Sequence, residues 1–282
     1  MHRTITVAMA AASVLALSAC KQAGTANENA TSNASAPAGA AAAGADAING
    51  TWKTDLASVK VQARPDQLLL QGGQFSCPTC TPPLTVAADG AFHPVNRPFA
   101  DQISVKVDDD HNVTRTAQKG GKTTGVAKYS VSADGKTLTI NFNNSSGSKA
   151  VTGSIVETRV APAPAGAHAI SGSWQQNKFN NISEEGLTVT FNLEGDTLHM
   201  SAPTGQSYDA KIDGPDVPIK GDISGTTASV KKLADNSYQE TDKRGGKVID
   251  VVTMTIGADG KMSGKDENKQ DGSVTTWVAS KQ

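Results

Sequence analysis

The chain has 282 residues, with 26 Lys and Arg against 27 Asp and Glu, five His and three Cys. A net charge of −1 leaves no basic excess to meet phosphates, which excludes a dedicated nucleic-acid binder. With aromatics at 4% and 27 Gly, the composition is poor for a large α/β enzyme and suits strands punctuated by turns, in one or two domains.

The chain opens with Arg3 and then an apolar run over residues 5–17. That run is too short for a hydrocarbon core of about 30 Å, which takes about 20 helical residues. It reads instead as the centre of a signal peptide over residues 1–19. Leu17-Ser18-Ala19-Cys20 closes it and resembles the lipobox of bacterial lipoproteins. The resemblance implies cleavage before Cys20, acylation of its thiol and usually of the new amine, and so a membrane partner held through lipid. Several acyl chains hold almost permanently, because each buried CH₂ adds about 0.8 kcal/mol. Lys21, where inner-membrane retention favours Asp, implies the outer membrane, on its periplasmic or its surface face. Residues 20–47 then form a tether of small and polar residues, expected to be disordered, with a reach of about 25–30 Å.

The remainder reads as a duplication. Ile48-Asn49-Gly50-Thr51-Trp52 recurs as Ile170-Ser171-Gly172-Ser173-Trp174, 122 residues later. Further on the offset becomes 125, matching Ser104-Val105-Lys106 to Ser229-Val230-Lys231, Gly120-Gly121-Lys122 to Gly245-Gly246-Lys247, and Asp134-Gly135-Lys136 to Asp259-Gly260-Lys261. Ordered matches of this kind mark a tandem repeat of about 110-residue units. The expected domains are residues 48–160 and 169–282, joined by a Pro/Ala linker over 161–168.

Within each copy the hydrophobic period is two. Leu187, Val189, Phe191 and Leu193 alternate with polar residues, as do Leu138, Ile140 and Phe142. Ala127, Tyr129 and Val131 share one face, and so do Val252, Met254 and Ile256. This alternation, cut by Gly-Gly and Asp-Gly turn pairs, predicts an all-β chain of two antiparallel up-and-down meander barrels or sandwiches. Helix is expected only as a short piece between Thr54 and Gln71. The stretch from Lys261 to Asp271 has one large apolar residue, Met262, so it is either an edge strand or one that faces a wet interior.

The Gly-x-Trp openings (Gly50-Thr51-Trp52 and Gly172-Ser173-Trp174), the meander and the closing Thr275-Thr276-Trp277-Val278-Ala279-Ser280 resemble the lipocalin and fatty-acid-binding barrel group. In that group an Arg often packs on the Trp, and the sequence does not locate it here. Trp52 and Trp174 are expected to plug one end of each core, each indole N–H seeking a backbone acceptor.

Cys77-Pro78-Thr79-Cys80 is compatible with a disulfide, a redox pair or half of a metal site. The redox use wants a helix N-terminus, whereas these cysteines lie between strand-like runs. The metal use wants a second Cys or His pair, which the sequence lacks. At offset 125, Cys77 and Cys80 align with Ala202 and Gly205, so the same turn is built without sulfur and a structural disulfide is expected. The histidines His93, His111, His168 and His199 are scattered, and His199 falls on a solvent face. Asp108-Asp109-Asp110-His111-Asn112 reads as a solvated turn rather than a calcium loop. Glu240-Thr241-Asp242-Lys243-Arg244 reads as exposed surface.

No catalytic constellation, cofactor motif or metal set can be assembled. The expected function is a non-enzymatic, membrane-anchored envelope lipoprotein that binds a small apolar or amphipathic ligand in its barrels. The alternatives are a structural or protein-interaction lipoprotein, or a redox enzyme using Cys77 and Cys80.

Overall fold

The computed structural model describes residues 45–282. The signal peptide, Cys20 and most of the expected tether lie outside the described residues. The tether's last residues do not, because 45–47 belong to a 3-10 turn over Ala45–Ile48. After it come β1 (Gly50–Thr54), a 3-10 turn (Leu56–Ser58) and β2 (Lys60–Gln62). The first meander follows as β3 (Asp66–Gln71), β4 (Gln74–Cys77), β5 (Leu84–Ala87), β6 (Phe92–Arg97), β7 (Ala100–Val107), β8 (Asn112–Lys119), β9 (Lys122–Val131), β10 (Thr137–Asn144) and β11 (Val151–Ala161). The second copy holds β12 (Gly172–Ile182), a 3-10 turn (Glu184–Gly186), β13 (Thr188–Glu194), β14 (Thr197–Ser201), β15 (Ser207–Lys211), β16 (Val217–Pro218), β17 (Thr226–Ala234), β18 (Ser237–Arg244), β19 (Lys247–Ile256), β20 (Met262–Asn268) and β21 (Val274–Lys281).

These strands make two antiparallel, nearly closed barrel-like sheets, so the all-β expectation holds. The alternating residues named from sequence point inward: Leu138, Ile140, Tyr129, Val189, Phe191 and Met254 are all at most 2% exposed. The repeat anchors occupy equivalent places. Ser104-Val105-Lys106 lies in β7 and its counterpart in β17, while the Gly-Gly pairs tip the β8–β9 and β18–β19 hairpins. The second sheet approaches closure where Ser207 and Lys220 exchange backbone hydrogen bonds of 3.1 and 2.8 Å.

The barrels do not coincide with the sequence repeats. The first sheet runs β5-β4-β3-β12-β11-β10-β9-β8-β7-β6, and the second contains β15-β14-β13-β1-β21-β20-β19-β18-β17-β16, with β2 on β21. Each Gly-x-Trp strand has therefore crossed into the other copy's barrel: Trp174 pairs with Asp66 of β3, and Trp52 with Val189 of β13. The boundaries expected at 48–160 and 169–282 thus cut across both barrels at their opening strands. Loop closure favours the exchange. It joins β11 to the next strand, β12, through a connection of about ten residues, and β1 to β21 through more than two hundred. Without it there would be two closures of about a hundred residues each. Logarithmic loop entropy makes the exchanged pairing cheaper by about 1 kcal/mol.

Among the strands whose place was open, β20 is central. It pairs with β19 on one side and β21 on the other. The edge alternative for Lys261 to Asp271 is therefore excluded, and Asp266 and Asn268 face inward while Ser263 and Lys265 face solvent. The expected short helix appears as the single turn Leu56–Ser58, capped by the Asp55 carboxylate, which accepts from the Ala57 N–H at 3.0 Å.

Candidate functional site

Each barrel has a floor built on its Gly-x-Trp strand. Trp52 is 1% and Trp174 0% exposed. The Trp52 indole N–H donates to the Ile48 carbonyl at 2.7 Å, and that of Trp174 to the Ile170 carbonyl at 2.8 Å. The acceptors sit at matching positions of the two copies, so both indole caps are local and repeat-encoded. What differs is the core each Trp fills, since Trp52 packs among Val189, Phe191 and Met254 of the second barrel. The motif glycines Gly50 and Gly172 take φ of +126° and +128°, a region side chains rarely adopt. A Cβ on Gly172 would also lie 2.6 Å from Arg159 Nη1.

Arg159 is the cation the sequence did not locate. Its guanidinium lies 4.0 Å from the centre of the Trp174 ring and donates to the carbonyls of Gly135, Ala169 and Ser171. Lys281 holds the corresponding place, 5.3 Å from the Trp52 ring centre. Because β12 crosses over, each cation reaches its Trp from the neighbouring strand, β11 or β21.

The second barrel turns acidic away from its floor. Strand register lines up Glu240, Val252, Asp266 and Thr275 across β18 to β21, and Asp242, Asp250 and Asn268 in the next row. Glu240 is 6%, Asp242 5% and Asp266 0% exposed, so the reading of Glu240-Thr241-Asp242-Lys243-Arg244 as surface is corrected. Only the odd-numbered Thr241 and Lys243 face outward with the solvent. The phenol of Tyr208 donates to Glu240 Oε2 at 2.7 Å. Burial pushes both carboxyls up, Asp242 well above the carboxylate range because Glu240, Asp250 and Asp266 also repel its charge. Glu240 and Asp242 share a hydrogen bond, which requires a proton on one of them, and since burial raises both, that proton belongs to the pair. Burial, then the charge and hydrogen bond of Glu240, likewise keeps Tyr208 protonated.

Some polar atoms here lack a partner. Asp242 Oδ1, Thr275 Oγ1 and Trp277 Nε1 are buried without a hydrogen bond. Trp277 packs tightly over Gly264, whose Cβ would come within 2.1 Å of the indole.

The first barrel buries charges of both signs, Arg115 with Asp66 and Glu157. Tyr129, 1% exposed, has its phenol pushed up mainly by burial, in a field set by Arg115, Asp66, Glu157 and Arg97. Arg115 lies 5.7 Å from the Tyr129 ring centre. Burial, reinforced by the Arg115 charge, lowers Arg97 to about 10. At the repeat offset, Arg115 stands where the second barrel has Glu240, and Ala117 where it has Asp242. The acid row was thus legible as a period-two run, Tyr238-Glu240-Asp242, in phase with the buried Val230 strand partner, had the charges not argued for solvent.

Cys77 and Cys80 are bonded as a disulfide, 0% and 9% exposed, in the β4–β5 turn. The Cys80 N–H donates to the Cys77 carbonyl at 3.2 Å, and the Gly205 N–H to the Ala202 carbonyl at 2.9 Å, so the two copies share this turn with and without sulfur. The histidines are spread out: His93 pairs with Asp89 at 2.8 Å, His199 with Asp209 at 2.8 Å, and His168 with the Asp109 carbonyl at 2.6 Å. The Asp108–Asn112 segment closes on itself as a hairpin turn, the Asn112 amide donating to Asp109. Among the described residues, no group of three or more His, Cys, Asp or Glu has the geometry to hold a metal. The chain matches no protein-family model and no curated protein sequence.

Proposed function

We propose that this chain is a non-enzymatic envelope lipoprotein, acylated at Cys20 and held in the outer membrane, whose barrels bind a small amphipathic ligand. The observation that carries the reading is the two-part interior. A Trp-floored apolar half gives way to buried ionisable groups, which a core serving only as packing has reason to avoid, since each buried charge costs several kcal/mol. Arg159 on Trp174 adds to the likeness with lipocalin-type barrels, which commonly enclose such ligands. A Cys77–Cys80 oxidoreductase is disfavoured by the burial of both sulfurs and by their turn between strands.

Native mass spectrometry of the acylated protein purified from its own envelope tests the reading. A stoichiometric amphipathic species is expected, together with a mass increment on Cys20 that disappears in Cys20→Ala. Bare protein after gentle purification, with its interior inaccessible to added amphiphiles, would favour a structural lipoprotein instead.

A further inference from the structure

We propose that the first barrel opens at the seam between β5 and β6, and that the Arg97 guanidinium is the latch that holds it shut. The inference concerns motion of the chain itself and stands apart from the ligand-binding reading above. β5 and β6 are the two ends of the first sheet, and among the described residues no backbone ladder joins them. The second barrel makes the same junction with the paired backbone hydrogen bonds of Ser207 and Lys220.

The sequence explains the difference. Ser207 directly precedes Tyr208, the first buried residue of β15, and Pro83 directly precedes Leu84, the first buried residue of β5. On the other side of the seam, Pro94 lies across from Gln102 and Pro218 across from Thr227, and Gln102 and Thr227 match at the repeat offset of 125. Asn96 therefore stands where the second barrel has Lys220, and Pro83 has no N–H to offer it. In place of the ladder, Arg97 reaches from β6 and donates to the carbonyls of Thr81, Pro82 and Pro83.

Both sides of the seam are braced, so the latch acts at a defined place. On the β5 side the Cys77–Cys80 disulfide closes the turn. Thr79 ties that turn to β3, its hydroxyl accepting from the Gln67 N–H at 2.9 Å and its carbonyl from Arg64 at 3.0 Å. On the β6 side Lys119 donates to the carbonyls of Pro98 and of Ile223 in the second barrel, and Arg244 lies 5.3 Å from the Phe99 ring centre. Beyond β5 the two barrels agree again. The Gly90 N–H donates to the Val105 carbonyl at 2.9 Å, as the Asp213 N–H does to Val230 at 2.8 Å. Opening is thereby confined to the half of the seam beside the disulfide turn. The latch itself is weak, because it engages neutral carbonyls at an exposed position and the Arg115 charge repels it. Leu84 and Val86 of β5, 4% and 6% exposed, are the core residues that opening uncovers.

Thiol labelling of the mature chain tests this, with reaction read at the introduced position by mass spectrometry. Val86→Cys places a thiol in the first barrel, and Ala210→Cys places one on the matching strand of the second. Val86→Cys is expected to react about tenfold or more faster than Ala210→Cys. Adding Arg97→Ala should speed the first about tenfold again, the worth of one charge-assisted hydrogen bond, and leave the second unchanged. Arg97→Lys should fall between, since an ammonium does not reproduce the planar fork that spans three carbonyls. Equal rates in the two barrels, or an equal acceleration of both by Arg97→Ala, would overturn the proposal. Hydrogen exchange on the unaltered chain gives a reading that needs no new cysteine and holds even where a variant fails to fold. The β5 amides should exchange faster than those of β15, and equal exchange would likewise exclude the opening.

Discussion

Replacing Trp52 by Ala separates the exchanged architecture from one in which each repeat closes on itself. Trp52 lies in the first repeat, 1% exposed, yet it fills the core of the second barrel beside Val189, Phe191 and Met254. Truncating a buried Trp costs about 3–5 kcal/mol, and losing the indole bond to Ile48 leaves a carbonyl that must find another donor. Hydrogen exchange read by mass spectrometry should therefore show protection falling by about two to three and a half orders of magnitude in β13 to β21, far along the chain from the change. Strands β3 to β11 should change much less. Trp174→Ala should do the reverse. Loss of protection from Trp52→Ala concentrated in β3 to β11 would refute the strand exchange.

The buried acids give a pH signature. Asp242 has a folded value raised above its unfolded one, so its contribution to stability is complete below the ordinary carboxylate range. It is lost as pH rises toward the folded value, at about 1.4 kcal/mol per pH unit per group. Thermal melts from pH 4 to about 8 should show Asp242→Asn with a shallower decline than the parent, and parallel slopes would exclude Asp242 as a source. Reducing the Cys77–Cys80 bond, or changing both residues to Ser, should cost about 2 kcal/mol for so short a loop and leave the barrel folded, because Ala202 to Gly205 form the same turn; a lost β4–β5 hairpin by NMR would contradict this. Gly264→Val should destabilise the second barrel by at least about 1–3 kcal/mol through overpacking, since Trp277 occupies the space a Cβ needs; an unchanged melting temperature would contradict the tight packing.

The local devices were legible because their causes are local. Period-two alternation, the Gly-Gly hairpin tips, the indole bonds four residues back to Ile48 and Ile170, and the four-residue disulfide turn all lie within short stretches of chain. The resemblance to lipocalin-type barrels pointed to a cation over the Trp. Finding it required the structure, because Arg159 is brought to Trp174 by strand pairing across the linker. The acids of β18 were misplaced for a different reason. Charge ordinarily argues for solvent, and only closure of the sheet turned Glu240 and Asp242 inward, on the face where the other copy has Arg115 and Ala117.

By itself the sequence determined a duplicated, all-sheet chain with a Trp-bearing strand at the head of each copy. It was silent on which barrel each of those strands enters. Both carry the same Gly-x-Trp chemistry and present the same face, so either partner satisfies their hydrogen bonds and buries their indole. That choice was left to tertiary closure, where the short connection from β11 to β12 costs less chain entropy than a return to β1.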